Sequence, residues 1–216
     1  MQKIMFSERY GLEQAVLARF KNMTRREIKL PDYITHSDIW NPVMGIDDRG
    51  KVYFTFDCTD HLKRDIYPQY QIGEEVAIAQ AYKELRWYVL SGILWGGIAD
   101  EVTHSKGWNN KMFVKAEYMP HRIRITNIKV ERLQNISGED AMREGVFRYE
   151  KPPLNHEYDM FAPWAPYVRP YKWDRDNLIY RCTARDAFAY LIDKISGKGT
   201  WNINPWVFAY EFELLR

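Results

Sequence analysis

The composition of the chain excludes several classes of protein before any motif is considered. Its 216 residues are 46% hydrophobic and 28% charged, which is typical of a globular protein with one sizeable core. A net charge of +2 is too small for a protein that coats nucleic acid non-specifically, and no apolar run approaches the roughly 20 residues of a membrane span. Cys58 and Cys182 cannot form a disulfide framework, and the five histidines form no metal-binding pair, so we expect a cytoplasmic protein without metal or cofactor.

The first part of the chain predicts a strand, a helix, a hairpin, a buried strand and a second helix. Residues 3–6 predict a short strand, and Ser7 is placed to cap a helix that runs to about residue 20. Residues 43–56 predict a hairpin, because acidic residues and a glycine between apolar runs favour a turn. Residues 76–79 predict a buried strand and residues 84–94 a helix.

The second half predicts more strands and two capped helices. Residues 112–118 and 121–132 predict strands, with a bulge near Asn127 where the alternation breaks. Ser137 should cap a short helix that ends at Glu144 and Gly145. The remaining elements are a helix capped by Thr183 and running to about residue 195, and a half-buried strand over residues 207–214. Together these elements favour an α+β fold, arranged as a small mixed β-barrel with flanking helices.

Residues 147–180 differ from the rest of the chain because they are rich in prolines and aromatic residues that follow no clear period. We interpret the segment as an inserted excursion that packs on the surface, since aromatic rings can bury enough area to offset ordering. Base stacking is the alternative interpretation. The aromatic residues concerned are Tyr149, Tyr158, Phe161, Trp164, Tyr167, Tyr171 and Trp173, with Arg148, Arg169, Lys172 and Arg175 nearby.

Positive charge is concentrated in two segments. Residues 1–30 contain seven Lys and Arg against three acidic residues, and residues 111–132 contain six against two. Within the first, Lys21, Thr24, Arg25 and Arg26 follow the predicted helix directly, where binding residues are often found. Basic residues at a helix C-terminus also complement the helix dipole, so a structural role explains this run equally well.

The order of several motifs resembles the ASCH domains, relatives of the PUA fold, and in particular the larger phage-type ASCH proteins. The motifs occupy residues 20–26, 70–76, 119–132, 136–145 and 201–212. The resemblance implies a single PUA-like domain over residues 1–216, with insertions at about 31–69, 84–110 and 147–180. It also implies that RNA or a modified nucleoside binds in a basic cleft.

Some small bacterial ASCH members are amidohydrolases that deacetylate acetylcytidine with a lysine, a threonine and a glutamate. The matching positions here are Lys21, Thr24 and Glu144. A lysine desolvated in a cleft can act as a base toward Thr24 or water. Alternatively, Lys21 and Glu144 form a permanent ion pair that binds the Watson–Crick edge of a base without chemistry. A third hypothesis is a phage-type accessory protein that binds other proteins.

The resemblance also identifies candidates for contacts to the ligand or to RNA. Arg25 and Arg26 either bind phosphate or carboxylate groups or are ordinary surface charges. Arg122 and Arg124 lie on the polar side of a predicted strand, where they could hold backbone phosphates at the mouth of the cleft. Met119 precedes that strand in a family-like position. Alternatively, Arg122 and Arg124 belong to an ordinary solvated face of the strand and bind no ligand. The sequence does not indicate the oligomeric state.

Overall fold

The computed structural model describes residues 1–85, 102–149, 160–163 and 183–215, with the backbone alone at 148–149 and 160–163. Among the described residues, five short 3₁₀ turns precede the longest strand, and helices and strands follow one another along the chain in a mixed order. They are β1 (Gln2–Ile4), α1 (Leu12–Leu17), β2 (Met23–Glu27), β3 (Ile39–Ile46), β4 (Val52–Cys58), β5 (Lys63–Ile66), β6 (Glu75–Ile78), β7 (Arg122–Arg132), α2 (Gly138–Arg143), β8 (Val146–Tyr149), β9 (Met160–Pro163), α3 (Ala184–Ser196), α4 (Thr200–Ile203) and β10 (Trp206–Leu214).

The main sheet has five strands in the order β1-β6-β7-β10-β2. The pairing of β1 with β6 is parallel, and the other three pairings are antiparallel. The long strands β7 and β10 form its centre, and their register shifts where Glu211 pairs with Asn127 and Phe212 pairs with Ile125. The predicted bulge near Asn127 is therefore confirmed. Strand β2 lies at one edge of this sheet and carries the basic residues that follow α1.

A second sheet, in the order β3-β4-β5, is built from residues within the predicted 31–69 insertion. Its inner side chains alternate along β4, where Val52, Phe54, Phe56 and Cys58 are buried. The ring of Phe54 packs 5.7 Å from that of Phe208 in β10. The second sheet therefore contributes to the same hydrophobic core as the main sheet. A short hairpin of β8 and β9 completes the described strands.

The α+β class predicted from the sequence is confirmed, whereas the pairing of the described strands gives three sheets and no closed barrel. The predicted strand at residues 112–118 is wrong, because this region forms two 3₁₀ turns, Lys111–Phe113 and Ala116–Tyr118. Helix α1 is also shorter than predicted. Its N-cap is Gly11 with φ of 66°, not Ser7, and Arg19 with φ of 63° follows its end.

Several predictions for the second half of the chain are confirmed. Ser137 caps α2 by accepting a hydrogen bond from the Asp140 amide at 3.0 Å, and Thr183 caps α3 in the same way. Strand β10 matches its prediction in extent but is buried on both faces at Phe208, Ala209 and Tyr210. Most of the predicted helix at 84–94 and of the aromatic segment at 147–180 lies outside the described residues.

Candidate functional site

Three elements position the lysine, threonine and glutamate identified from the sequence. Lys21 follows α1, and its backbone amide donates to the Ala15 carbonyl at 3.0 Å. Thr24 is the second residue of β2 and lies opposite Tyr210 of β10. Glu144 is the C-cap of α2, and its amide is bonded to the Asp140 carbonyl at 2.9 Å. All three side chains are buried, although the first two are more than a hundred residues from the third.

Glu144 is held in place by the turn that follows it. Gly145 has φ of 100°, a conformation that residues with a Cβ rarely adopt. A Cβ at this position would lie 2.9 Å from Cδ2 of Leu12 and 3.5 Å from Cδ of Lys21. The glycine therefore allows the end of α2 to pack directly against the lysine side chain.

The Lys21 ammonium donates three short hydrogen bonds. Its Nζ lies 2.6 Å from the Met23 carbonyl, 2.7 Å from the Glu144 carbonyl and 2.7 Å from Glu144 Oε2. Burial lowers the pKa of Lys21, and the neighbouring Glu144 carboxylate opposes this effect. The lysine is thus desolvated, and its Nζ has an acceptor for each of the three hydrogens of an ammonium group.

Arg25 extends this pair into a buried network. Its Nη1 lies 3.1 Å from Glu144 Oε1, and its Nη2 lies 2.5 Å from Glu131 Oε1 and 3.0 Å from Asp140 Oδ2. Lys129 Nζ adds a bond of 2.8 Å to Asp140 Oδ2. These charged groups join β2, β7 and α2, so the guanidinium of Arg25 is occupied by protein carboxylates.

The three candidate residues line one cavity of about 840 Å³. Its lining also includes the polar residues Arg25, Arg26 and Gln69. Phe188, Leu191 and Ile192 of α3 contribute apolar surface to the same cavity. Within the described part of the chain the Thr24 hydroxyl has no hydrogen-bond partner, so it is available to a ligand. The arrangement offers a hydroxyl and a carboxylate beside an apolar surface.

The second set of predicted contacts lies elsewhere. Met119, Arg122 and Arg124 line a separate pocket of about 470 Å³ and not the cavity around Lys21. The Arg124 guanidinium lies 3.0 Å from Glu75 Oε1 and 3.2 Å from Glu213 Oε1. The structure therefore brings together Lys21, Thr24, Arg25, Arg26 and Glu144 but not the basic strand, whose role in RNA binding stays a prediction.

A cluster of carboxylates that no sequence motif indicates lies near α1. One oxygen from each of Glu8, Glu13 and Glu84 falls within 4.8 Å of the others, a grouping that could hold a metal ion. Lys111 Nζ lies among them, 2.6 Å from Glu8 Oε1 and 3.4 Å from Glu13 Oε2. Burial and the adjacent Glu8 raise the pKa of Glu84 to about 7. These residues were missed because they are brought together by the fold and not by spacing.

Glu84→Gln is expected to stabilise the protein at pH 8 and to leave its stability unchanged at pH 4. A carboxyl whose pKa is higher in the folded state stabilises the fold while protonated and loses that contribution as the pH rises through about 7. Because Glu84 is only partly shielded from solvent, screening limits the gain to about 1 kcal/mol. Urea unfolding of both proteins across this pH range measures the effect. Equal pH profiles for the two proteins would contradict it.

No family model matches the chain, no curated protein matches it significantly in sequence, and no solved structure matches it significantly in fold. Among the described residues, no helix has the length and apolar character needed to cross a membrane. The cavity lined by Lys21, Thr24 and Glu144 is therefore the main indication of function.

Proposed function

We propose that the protein binds a nucleoside base in the cavity lined by Lys21, Thr24 and Glu144, either as a free modified nucleoside or as an unpaired base of RNA. The convergence of these three side chains on one cavity supports the proposal. Membership of the ASCH family, with a PUA-like fold, forms part of the same proposal. It would account for the order of the motifs along the chain.

The hydrogen-bonding groups in the cavity complement a base of the cytosine type. An ionised carboxylate has about four lone-pair sites. Lys21 occupies one at Oε2 of Glu144 and Arg25 occupies one at Oε1, so the carboxylate retains acceptor capacity for an exocyclic amino group. The Thr24 hydroxyl can donate to a ring nitrogen or carbonyl, and the apolar side chains of α3 can contact the face of the base.

The bonds made by Lys21 favour binding over catalysis. A lysine that acts as a general base needs a free lone pair, whereas all three of its ammonium hydrogens are donated to Met23 and Glu144. In this role Lys21 holds the Glu144 carboxylate in position, and Glu144 and Thr24 contact the base.

An amidohydrolase is the second candidate, and the lowered pKa of Lys21 favours it. A neutral lysine could accept a proton from water or from Thr24 as the oxygen attacks the acyl carbonyl. The same lysine would then return the proton to the departing amino group as the C–N bond breaks. With water as the nucleophile, acetylcytidine gives acetate and cytidine directly. With Thr24 as the nucleophile, cytidine leaves first, and a water molecule then hydrolyses the acetyl-threonine ester to acetate and restores the hydroxyl.

Thr24→Val is expected to weaken binding of cytidine and acetylcytidine about five- to tenfold, because one hydrogen bond to the ligand is lost. The melting temperature should change little, since the hydroxyl has no partner in the described structure. Calorimetric titration measures the binding. Thr55→Val is the matched control, because its hydroxyl bonds to Asp65 Oδ1 at 2.5 Å outside the cavity.

Acetate release in the same samples separates the two candidates. The binding proposal predicts saturable binding of both nucleosides with no release of acetate. Release of acetate by the wild type that disappears in Lys21→Ala would support the amidohydrolase instead. Absence of any nucleoside binding, or equal loss in Thr24→Val and Thr55→Val, would remove the binding proposal.

A further inference from the structure

We infer that the cavity takes a phosphorylated nucleoside, with Arg26 as the binding site for its phosphate. The inference rests on the proposed function, because the cavity around Thr24 supplies the place for the base. It separates the two adjacent arginines of β2, which the sequence alone treats as equivalent.

Arg26 is a partly buried cation with unused hydrogen-bonding capacity in the wall of the cavity. Its Nη2 donates to the Met5 carbonyl at 2.7 Å, and its Nε is buried without any hydrogen-bond partner. Within the described residues no carboxylate pairs with its guanidinium. The neighbouring Glu27 carboxylate instead lies 3.0 Å from His36 Nε2. A buried donor left unpaired costs stability, so an oxyanion that reached this guanidinium would be bound favourably.

The network around Arg25 is balanced in charge and supplies no carboxylate to Arg26. It pairs four cations with four carboxylates. The cations are Lys21, Arg25, Lys129 and Arg143, and the carboxylates are Glu131, Asp140, Glu144 and Glu211. The rest of the cavity wall contains Lys29, Glu27 and Asp32 beside Arg26, so the formal charges there also balance. Arg26 is distinguished by its buried Nε without a hydrogen-bond partner and by the lack of a carboxylate partner among the described residues, which an anionic group of a ligand would supply.

The position of Arg26 on the strand fits a nucleotide. Residues two apart on a strand point to the same side and are separated by about 7 Å. Thr24 and Arg26 are so related, and both line the cavity. A separation of this size is comparable with that between the base and the phosphate of one nucleotide. The planar guanidinium can bind two phosphate oxygens at once.

The test compares four probes by calorimetric titration at fixed salt: cytidine, cytidine 5′-monophosphate, inorganic phosphate and a cytidine trinucleotide. The wild type should bind the monophosphate at least about tenfold more tightly than cytidine, the effect of a charge-assisted hydrogen bond. Arg26→Gln should abolish this preference while retaining the affinity for cytidine. Arg26→Lys should keep part of the preference, because the charge remains. Arg49→Gln, at the exposed turn between β3 and β4, is the control and should keep all of it.

Each outcome decides between the inference and the proposed function. If cytidine binds but the monophosphate binds no better, or if the preference persists in Arg26→Gln, the phosphate site is wrong and the base site stands. If phosphate binds and cytidine does not, the base site is wrong and the anion site stands. Binding of none of the probes overturns both. A trinucleotide that binds more tightly than the monophosphate, again through Arg26, assigns the same site to a phosphodiester of RNA.

Discussion

Arg25→Met is expected to lower the free energy of unfolding by about 3–5 kcal/mol, among the largest effects of any single substitution in the described structure. The guanidinium contacts Glu131, Asp140 and Glu144, and its side chain is only 1% exposed. Removing it leaves these carboxylates close together with fewer cations to balance them. Urea unfolding monitored by circular dichroism measures the loss.

The matched control for this substitution is Arg124→Met. Arg124 also contacts two carboxylates, those of Glu75 and Glu213, but its side chain is 45% exposed. Water and salt screen such a pair, so the free energy of unfolding should change little. If the two variants lost stability equally, the network around Arg25 would not be the buried cluster described above.

The second large effect concerns the pair of Lys21 and Glu144. Lys21→Met and Glu144→Leu should each cost about 3–5 kcal/mol, because each leaves a buried charge without its main partner. The double variant should cost less than the sum, with a coupling energy of about 1–3 kcal/mol. A double-mutant cycle from urea unfolding at pH 7 measures this term.

The outcome of the cycle tests the role of the lysine. Strong coupling agrees with an ammonium that is held permanently against the 2.7 Å carboxylate contact. Additive losses would mean that the two groups do not interact as ions at this pH. The lysine would then be neutral in the folded protein, as the amidohydrolase candidate requires.

The sequence predicted two helix caps correctly and one wrongly, since α1 begins after Gly11 and not after Ser7. Ser137 and Thr183 cap their helices as predicted, because a cap depends on residues within one turn. The break in the alternation of apolar residues along β7 also predicted its bulge correctly. Residues 112–118 were wrong because a short apolar run does not distinguish a strand from 3₁₀ turns packed against the core.

The candidate site could be predicted only in part. Lys21, Thr24 and Glu144 were connected by a resemblance in motif order, and no spacing relates Glu144 to the other two. The partners of Arg25 were not predictable, since they depend on how β2, β7 and α2 meet in space. For the same reason the sequence could not distinguish Arg25, which is bonded to three carboxylates, from Arg26, which has no carboxylate partner among the described residues.

The most direct test of the nucleoside site is a crystal structure of the protein with cytidine. We expect the base to lie in the 840 Å³ cavity, within hydrogen-bonding distance of the Thr24 hydroxyl and the Glu144 carboxylate. The Lys21 to Glu144 contact should be retained in the complex. Cytidine bound in the pocket of Arg122 and Arg124, with the cavity around Thr24 unoccupied, would contradict it.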